Sequence, residues 1–271
     1  AGHPQIADPQ SMIFSPPFLL LALVNGSPSL WAVDVTVLLA ELAGAAALML
    51  WMRDRRWHWA GGLIGGLVFA FGGAMAWRVQ HTGQVLSLAY LPFVQLFLDR
   101  ALARGSLWYG LAAVVMTEFI VLGLDQVGLR AVYLLIGYVL WQWWAADQRG
   151  AFVRRAWKPL VIAGIAGAAL VAIPVALTAL LAAESNRPAI DYIGAGRGSL
   201  HPALLLTLLF PQLFGAAGRM EDYWGPPSFA WNDTGIYIAQ NMGQIYIGII
   251  PLALIGIAAL RGVLWAREIR F

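Results

Sequence analysis

Polar and apolar positions do not alternate finely along this chain; the apolar ones come in blocks, separated by short polar breaks. A membrane-crossing helix needs about 20 mostly apolar residues. Seven blocks answer to that pattern: Trp31–Met52, Ala60–Trp77, Gln84–Leu98, Leu107–Leu124, Gly128–Trp144, Leu160–Ala183 and Gln244–Leu260. The third is short and borrows flanking residues. An eighth stretch, Ile13–Val24, is interrupted by Pro16-Pro17 and is too short to cross. It predicts a re-entrant or interfacial helix with proline in its first turn. The fold class expected is therefore all-α: a polytopic transmembrane helix bundle of about seven spans plus that one short helix. The whole chain, 1–271, is expected to form a single transmembrane domain, with 184–243 as a long outer loop. Within that loop Leu200–Phe210 predicts a short helix lying in the interface.

Composition agrees. Sixty per cent of the residues are hydrophobic, 11% are charged, and the mean hydropathy is +0.71. A soluble domain carries about 25% charged residues, so this chain lacks the polar side chains to coat a water-facing globule. Disorder, a nucleic-acid-binding module and an ordinary cytosolic enzyme are excluded. The chain has no cysteine, which excludes disulfides, Fe–S clusters and thiol chemistry.

The net charge of +3 reads as topology. Alternate loops hold Arg53, Arg55 and Arg56; Arg100 and Arg104; Arg149, Arg154, Arg155 and Lys158; and Arg261, Arg267 and Arg270. The opposite loops and the spans share only Arg78, Arg130, Arg187, Arg197 and Arg219. Basic residues collect on the cytoplasmic side. The expectation is a multi-pass protein of the bacterial inner membrane with the N-terminal segment outside. Most of the thirteen Trp fall near span ends, as an aromatic belt requires. Ala1 to Gln10 reads as the middle of a polar loop, and the chain stops after Arg270-Phe271, so a piece of a longer protein is expected. Gly61, Gly62, Gly65 and Gly66 predict close helix packing inside the bundle, with dimerisation as the alternative.

The candidate chemistry lies at the outer turns. Arg78-Val79-Gln80-His81-Thr82-Gly83-Gln84 concentrates a guanidinium, an imidazole and two amides between two apolar blocks. A phosphate needs such an environment, because Arg supplies bidentate donors and His can donate a bond or take a proton. The plain alternative is a polar turn that caps two helix ends. Asp125, in the next outer turn, caps the following helix, orients Arg78 and His81, or binds a cation. Glu184 and Arg187 open the long loop; they pair with each other, or Arg187 holds a lipid phosphate. Glu221-Asp222 beside Tyr223-Trp224 reads either as a sugar-stacking loop or as a solvated one. Gly194 to Gly198 lacks the spacing of a dinucleotide fingerprint, and His201-Pro202 is helix-start chemistry. Inside the membrane stand Glu41 and Glu118, either a proton or ion path or neutral carboxyls bonded to a neighbouring helix. No P-loop, metalloprotease helix, nucleophile elbow or Cys/His metal cluster occurs.

Together these features resemble the YfhO-like bacterial membrane proteins of the GT-C class of polyprenyl-phosphate-sugar-dependent glycosyltransferases. The residues that carry the resemblance are Gly2-His3-Pro4-Gln5-Ile6-Ala7-Asp8-Pro9-Gln10 with Pro16-Pro17, the turn around Arg78, His81 and Gln84, Leu122 to Gln126, Glu184 to Arg187, and Tyr223 to Ser228. The resemblance implies a GT-C-like helical bundle with its active site on the outer face, and transfer of a sugar from a polyprenyl phosphate to a periplasmic or cell-surface acceptor. It implies an essential acid in the first outer loop; here only the tail of that loop is present, and Asp8 is the one acid in it. The expected catalytic residues are Asp8, Asp125 and His81. Arg78, Gln84 and Arg187 are expected on the donor phosphate, with Glu184 and Trp224 as loop candidates. A divalent cation is the candidate cofactor, held by no cluster of protein ligands visible in the sequence. Expected partners are membrane lipids, the lipid-linked sugar and other membrane subunits, without nucleic acid. Two other classes stay open: a non-catalytic subunit scaffolding a larger membrane complex, and a transporter using Glu41 and Glu118.

Overall fold

Helix α2, Leu30–Asp54, shows how the apolar blocks become structure. Its N-cap Ser29 accepts a hydrogen bond from the Ala32 N–H at 3.3 Å, satisfying one of the donors a helix start leaves open. Its end is a Schellman turn: the Trp57 N–H reaches back to the Met52 carbonyl at 3.1 Å. The residue in the left-handed slot is Arg56, at φ 59, where glycine is usual. That turn folds the Trp57 ring edge-on against Trp51, 5.6 Å between centroids.

The computed structural model describes residues 15–76, 78–79, 81–121, 126–184, 201–215, 223–226 and 245–263. All regular structure among them is helical. Besides α2 there are α1 (Pro16–Val24), α3 (Trp59–Phe71), α4 (Gly73–Ala76), α5 (Thr82–Arg104), α6 (Leu107–Val121), α7 (Gln126–Trp144), α8 (Arg149–Ala183), a 3-10 helix (Pro202–Leu208) and α9 (Ile249–Leu260). Four stretches are long and apolar enough to cross a membrane: Leu30–Asp54, Trp59–Ala76, Thr82–Arg104 and Arg149–Ala183. Leu107–Phe119 and Ile249–Leu260 are apolar but shorter.

Three boundaries differ from the sequence expectation. The third block, expected to be short, is a 23-residue helix, because Thr82, Gly83 and Asp99–Arg104 continue the turns at both ends. The sixth block becomes α8, which begins at Arg149 and not at Leu160; its basic first turns are anchored by burial of Phe152 and Ala156. The last begins at Ile249 and not at Gln244, since Gly248 at φ 102 is incompatible with helix. The proline-led helix α1 has the expected position.

The chain divides into two compact units, Ala1–Gly66 with His81–Ala182 (and Phe271), and Leu67–Gln80 with Ala183–Arg270. In the first, α5 is the central helix, flanked by α2 and α6 with α7 beside it. It is buried on several faces, through Val85, Leu86, Ala89, Val94, Leu96 and Leu102, which is why its sequence is apolar without a stripe. Tyr90 meets Phe119 of α6 edge-on at 5.1 Å, and Phe97 stacks on Tyr109 at 6.3 Å. Close approaches are made by glycine. A Cβ on Gly66 would lie 3.3 Å from the Ala45 carbonyl of α2, and one on Gly110 3.2 Å from Pro159 Cβ of α8. Gly62 and Gly65 face Met49 and Met52 in the same way, so this glycine row packs within one chain; Gly61 faces open space.

In the second unit Leu204 and Phe214 form a small core with Ala203, Leu213 and Tyr223 packed on it. His201 Nδ1 accepts from the Ala203 N–H at 3.1 Å and starts the 3-10 helix, as its sequence predicts. The irregular stretch before α9 is pinned twice: Ile245 N–H to Thr207 Oγ1 at 3.4 Å, and Gly73 N–H to the Tyr246 carbonyl at 2.8 Å.

Candidate functional site

Helix α5 starts where the sequence places its candidate phosphate turn. His81 is its N-cap residue, and the backbone N–H groups of Gln84 and Val85 both return to the His81 carbonyl, at 2.9 and 3.1 Å. The His81 side chain makes no capping bond and is exposed. Its imidazole is therefore not used up in closing the helix end. Gln84 lies one turn on, half-buried. A helix start carries unpaired N–H groups and the positive end of the macrodipole, the arrangement that binds phosphates elsewhere. His81 and Gln84 thus sit on one turn whose electrostatics suit an anion.

The other expected site residues are placed separately. Arg78, in the second unit, follows α4 in a turn closed by its own N–H on the Met75 carbonyl at 2.9 Å. Glu184, also in the second unit, is exposed just past the end of α8. The Trp224 ring packs edge-on against Phe214 at 5.2 Å, its backbone N–H donates to the Phe214 carbonyl at 3.0 Å, and the residue stays 68% exposed. Beside it, Tyr223 donates to the Pro226 carbonyl at 3.0 Å. Burial pushes the Tyr223 hydroxyl above its ordinary range, so it remains a donor. Asp8, Asp125 and Arg187 lie outside the described residues. Among the described residues no group of three or more His, Asp or Glu could hold a metal ion.

Glu41 and Glu118 are buried, at 4% and 9% exposure. Glu41 stands on the buried stripe of α2 with Val37, Gly44 and Ala45. Neither carboxyl makes a hydrogen bond or ion pair among the described residues, so of the two alternatives the bond to a neighbouring helix is not seen there.

Among the described residues, the densest polar network lies at the other end of the first unit, and sequence reasoning missed it. Arg55 grips Asp99 with two bonds, Nε to Oδ2 at 2.9 Å and Nη2 to Oδ1 at 2.7 Å. Tyr138 donates into the same carboxylate at 2.6 Å and accepts from Gln142 at 2.5 Å and from Arg55. Next to it, Arg100 Nε meets Asp54 at 2.6 Å. Arg155 Nε caps the Leu102 carbonyl near the end of α5 at 2.8 Å. These bonds tie together the segments around 53–58, 99–106 and 145–158, three of the loops that the charge pattern assigned to one side. The signal was available: Asp54 and Asp99 each stand beside an arginine in those loops, but only cations bear on the sidedness rule.

No family model, no curated protein and no solved structure matches the chain.

Proposed function

We propose that this chain is the membrane-embedded part of a GT-C-like glycosyltransferase, seated in a bacterial inner membrane with its N-terminal segment outside. It would move a sugar from a polyprenyl phosphate to a periplasmic or cell-surface acceptor. The observation that supports this reading is the start of α5, where the exposed His81 side chain, which makes no capping bond, stands with the half-buried Gln84 at the positive end of a 23-residue helix. Arg78 precedes His81 by one turn's length of chain. In the reaction proposed, a carboxylate takes the proton of the acceptor hydroxyl. The acceptor oxygen bonds to the anomeric carbon as the bond to the phosphate oxygen breaks, and the lipid phosphate leaves with the electron pair. Arg78, His81, Gln84 and Arg187 stabilise that leaving charge. Asp8 is the candidate base, Asp125 orients the turn or holds a divalent cation, and Glu184 and Trp224 flank the sugar. The test is sugar transfer from a polyprenyl-phosphate donor by reconstituted protein. Arg78→Ala and His81→Ala each abolish transfer while the protein stays folded; full activity in both removes the turn from the mechanism.

A scaffolding subunit is the second reading, and one feature of α8 favours it. The most apolar window of this 35-residue helix has none of its residues buried within the chain, leaving a long apolar surface for other subunits or lipid. Stoichiometric copurification with membrane partners, without donor turnover, would establish that reading over the first.

A further inference from the structure

The helix ends that carry the Arg55–Asp99 network form one strongly cationic surface. Segments 53–58, 99–106 and 145–158 hold nine Arg or Lys side chains against three Asp. Two of those acids are spent internally, Asp99 on Arg55 and Asp54 on Arg100. Arg53, Arg56 and Arg154 are exposed, and their side chains make no hydrogen bond or ion pair among the described residues. Arg56 is exposed and has a left-handed backbone, a conformation costing an ordinary residue about 1 kcal/mol or more. The cations are interleaved with indoles that mark a depth. Trp57 and Trp157 are 38% and 49% exposed, and Lys158 lies over the Trp157 ring at 5.7 Å. Exposed Trp at the ends of apolar helices is the pattern of a headgroup-level belt. A nucleic acid or an acidic protein would need the cations out in water, clear of that belt.

We propose that Arg53, Arg56, Arg154 and Lys158, framed by Trp57 and Trp157, form a docking surface for the phosphates of anionic phospholipids in the adjoining leaflet. Guanidinium groups suit this ligand because they bind phosphate oxygens in pairs. The surface lies at the end of the first unit away from the His81 turn, so it stands whether or not the transferase reading does.

The experiment uses the full chain in nanodiscs of mixed phosphatidylcholine and phosphatidylglycerol. After gentle detergent extraction, native mass spectrometry counts the lipids that stay bound. The wild type retains phosphatidylglycerol preferentially. A basic side chain at a membrane surface contributes roughly a fivefold preference, so the variant Arg53→Gln/Arg56→Gln/Arg154→Gln loses about a hundredfold, while Arg130→Gln, at the other end of its helix, loses none. Equal retention of the two lipids by wild type, or an unchanged preference in the triple variant, overturns the proposal. Displacement of phosphatidylglycerol by inorganic phosphate, at an ionic strength where chloride leaves it bound, overturns the lipid as the source of the phosphate. If the triple variant does not fold, the wild type alone decides: its preference collapses as salt screens the surface, and a preference that survives molar salt overturns the proposal.

Discussion

Asp99 receives Arg55 through both of its carboxylate oxygens, across 44 residues of sequence, and so joins the end of α2 to the end of α5. Tyr138 of α7 closes the same group from a third helix. A bidentate ion pair with a further donor differs in consequence from a lone surface pair.

Loss of this group should therefore be costly. Arg55→Ala is expected to lower stability by about 2–3 kcal/mol, since it leaves Asp99 and the Tyr138 hydroxyl short of a charged partner in a half-buried setting. Tyr138→Phe is expected to cost about 1 kcal/mol, and the double variant less than the sum of the two. Thermal unfolding in detergent measures all three; strict additivity would show that the groups do not act together.

The neighbouring pair provides the contrast. Arg100 holds Asp54 through one bond, without the second bond and the tyrosine donor that Asp99 receives. Asp54→Asn should cost about 0.5–1 kcal/mol at most, and that small loss should vanish in high salt. A loss as large as that of Arg55→Ala would mean the two pairs are one cooperative unit.

Gly105→Ala probes the turn between α5 and α6. Gly105 has φ 64, and an added Cβ would meet Arg155 Cγ and the Arg155 carbonyl at 3.0 Å. The left-handed backbone alone costs about 1–2 kcal/mol for an alanine, and the Arg155 backbone cannot move aside freely. A drop of about 2 kcal/mol or more in unfolding free energy is expected, with the bond from Arg155 to the Leu102 carbonyl weakened. An unchanged melting temperature would show that this turn relaxes.

Glu41→Gln and Glu118→Gln should be tolerated. Each carboxyl is buried without a partner among the described residues, so an amide of the same shape removes no bond there and stability should change by less than about 1 kcal/mol. The same double variant tests the transport reading. Proton-driven uptake into vesicles that survives Glu41→Gln/Glu118→Gln leaves no role for a carboxyl path.

How much of this was legible in the sequence depends on the kind of feature. The apolar blocks announced the helices, because lipid or a bundle interior demands the same thing of every residue in them. Their ends were less legible. Arg149–Lys158 looks like a charged loop, yet its Phe152 and Ala156 find a packing surface that only the folded chain supplies. At the other extreme, Arg55, Asp99 and Tyr138 come from three separate parts of the chain that no spacing rule connects; only Gln142, four residues past Tyr138 on α7, follows from helical spacing. At the candidate site the chemistry of the His81 turn was readable as residue types. That the imidazole would be left out of the helix cap was not, because Thr82 and Gly83 give no clue to which side chain closes the turn.

Helix α8 has a further consequence. At 1.5 Å per residue its 35 residues extend for about 52 Å, and the apolar part after Pro159 alone for about 36 Å. A hydrocarbon layer is about 30 Å thick. In a bilayer this helix is oversized: it must lean, bend at Pro174 where a backbone bond is missing, or thicken the lipid around it. Because Gly110 abuts Pro159 with no room for a side chain, the lower end is clamped and the slack is taken up above it. Membrane thickness thereby becomes a mechanical input to α8 itself, setting how far the stretch from Pro159 to Ala183 must tilt or bend.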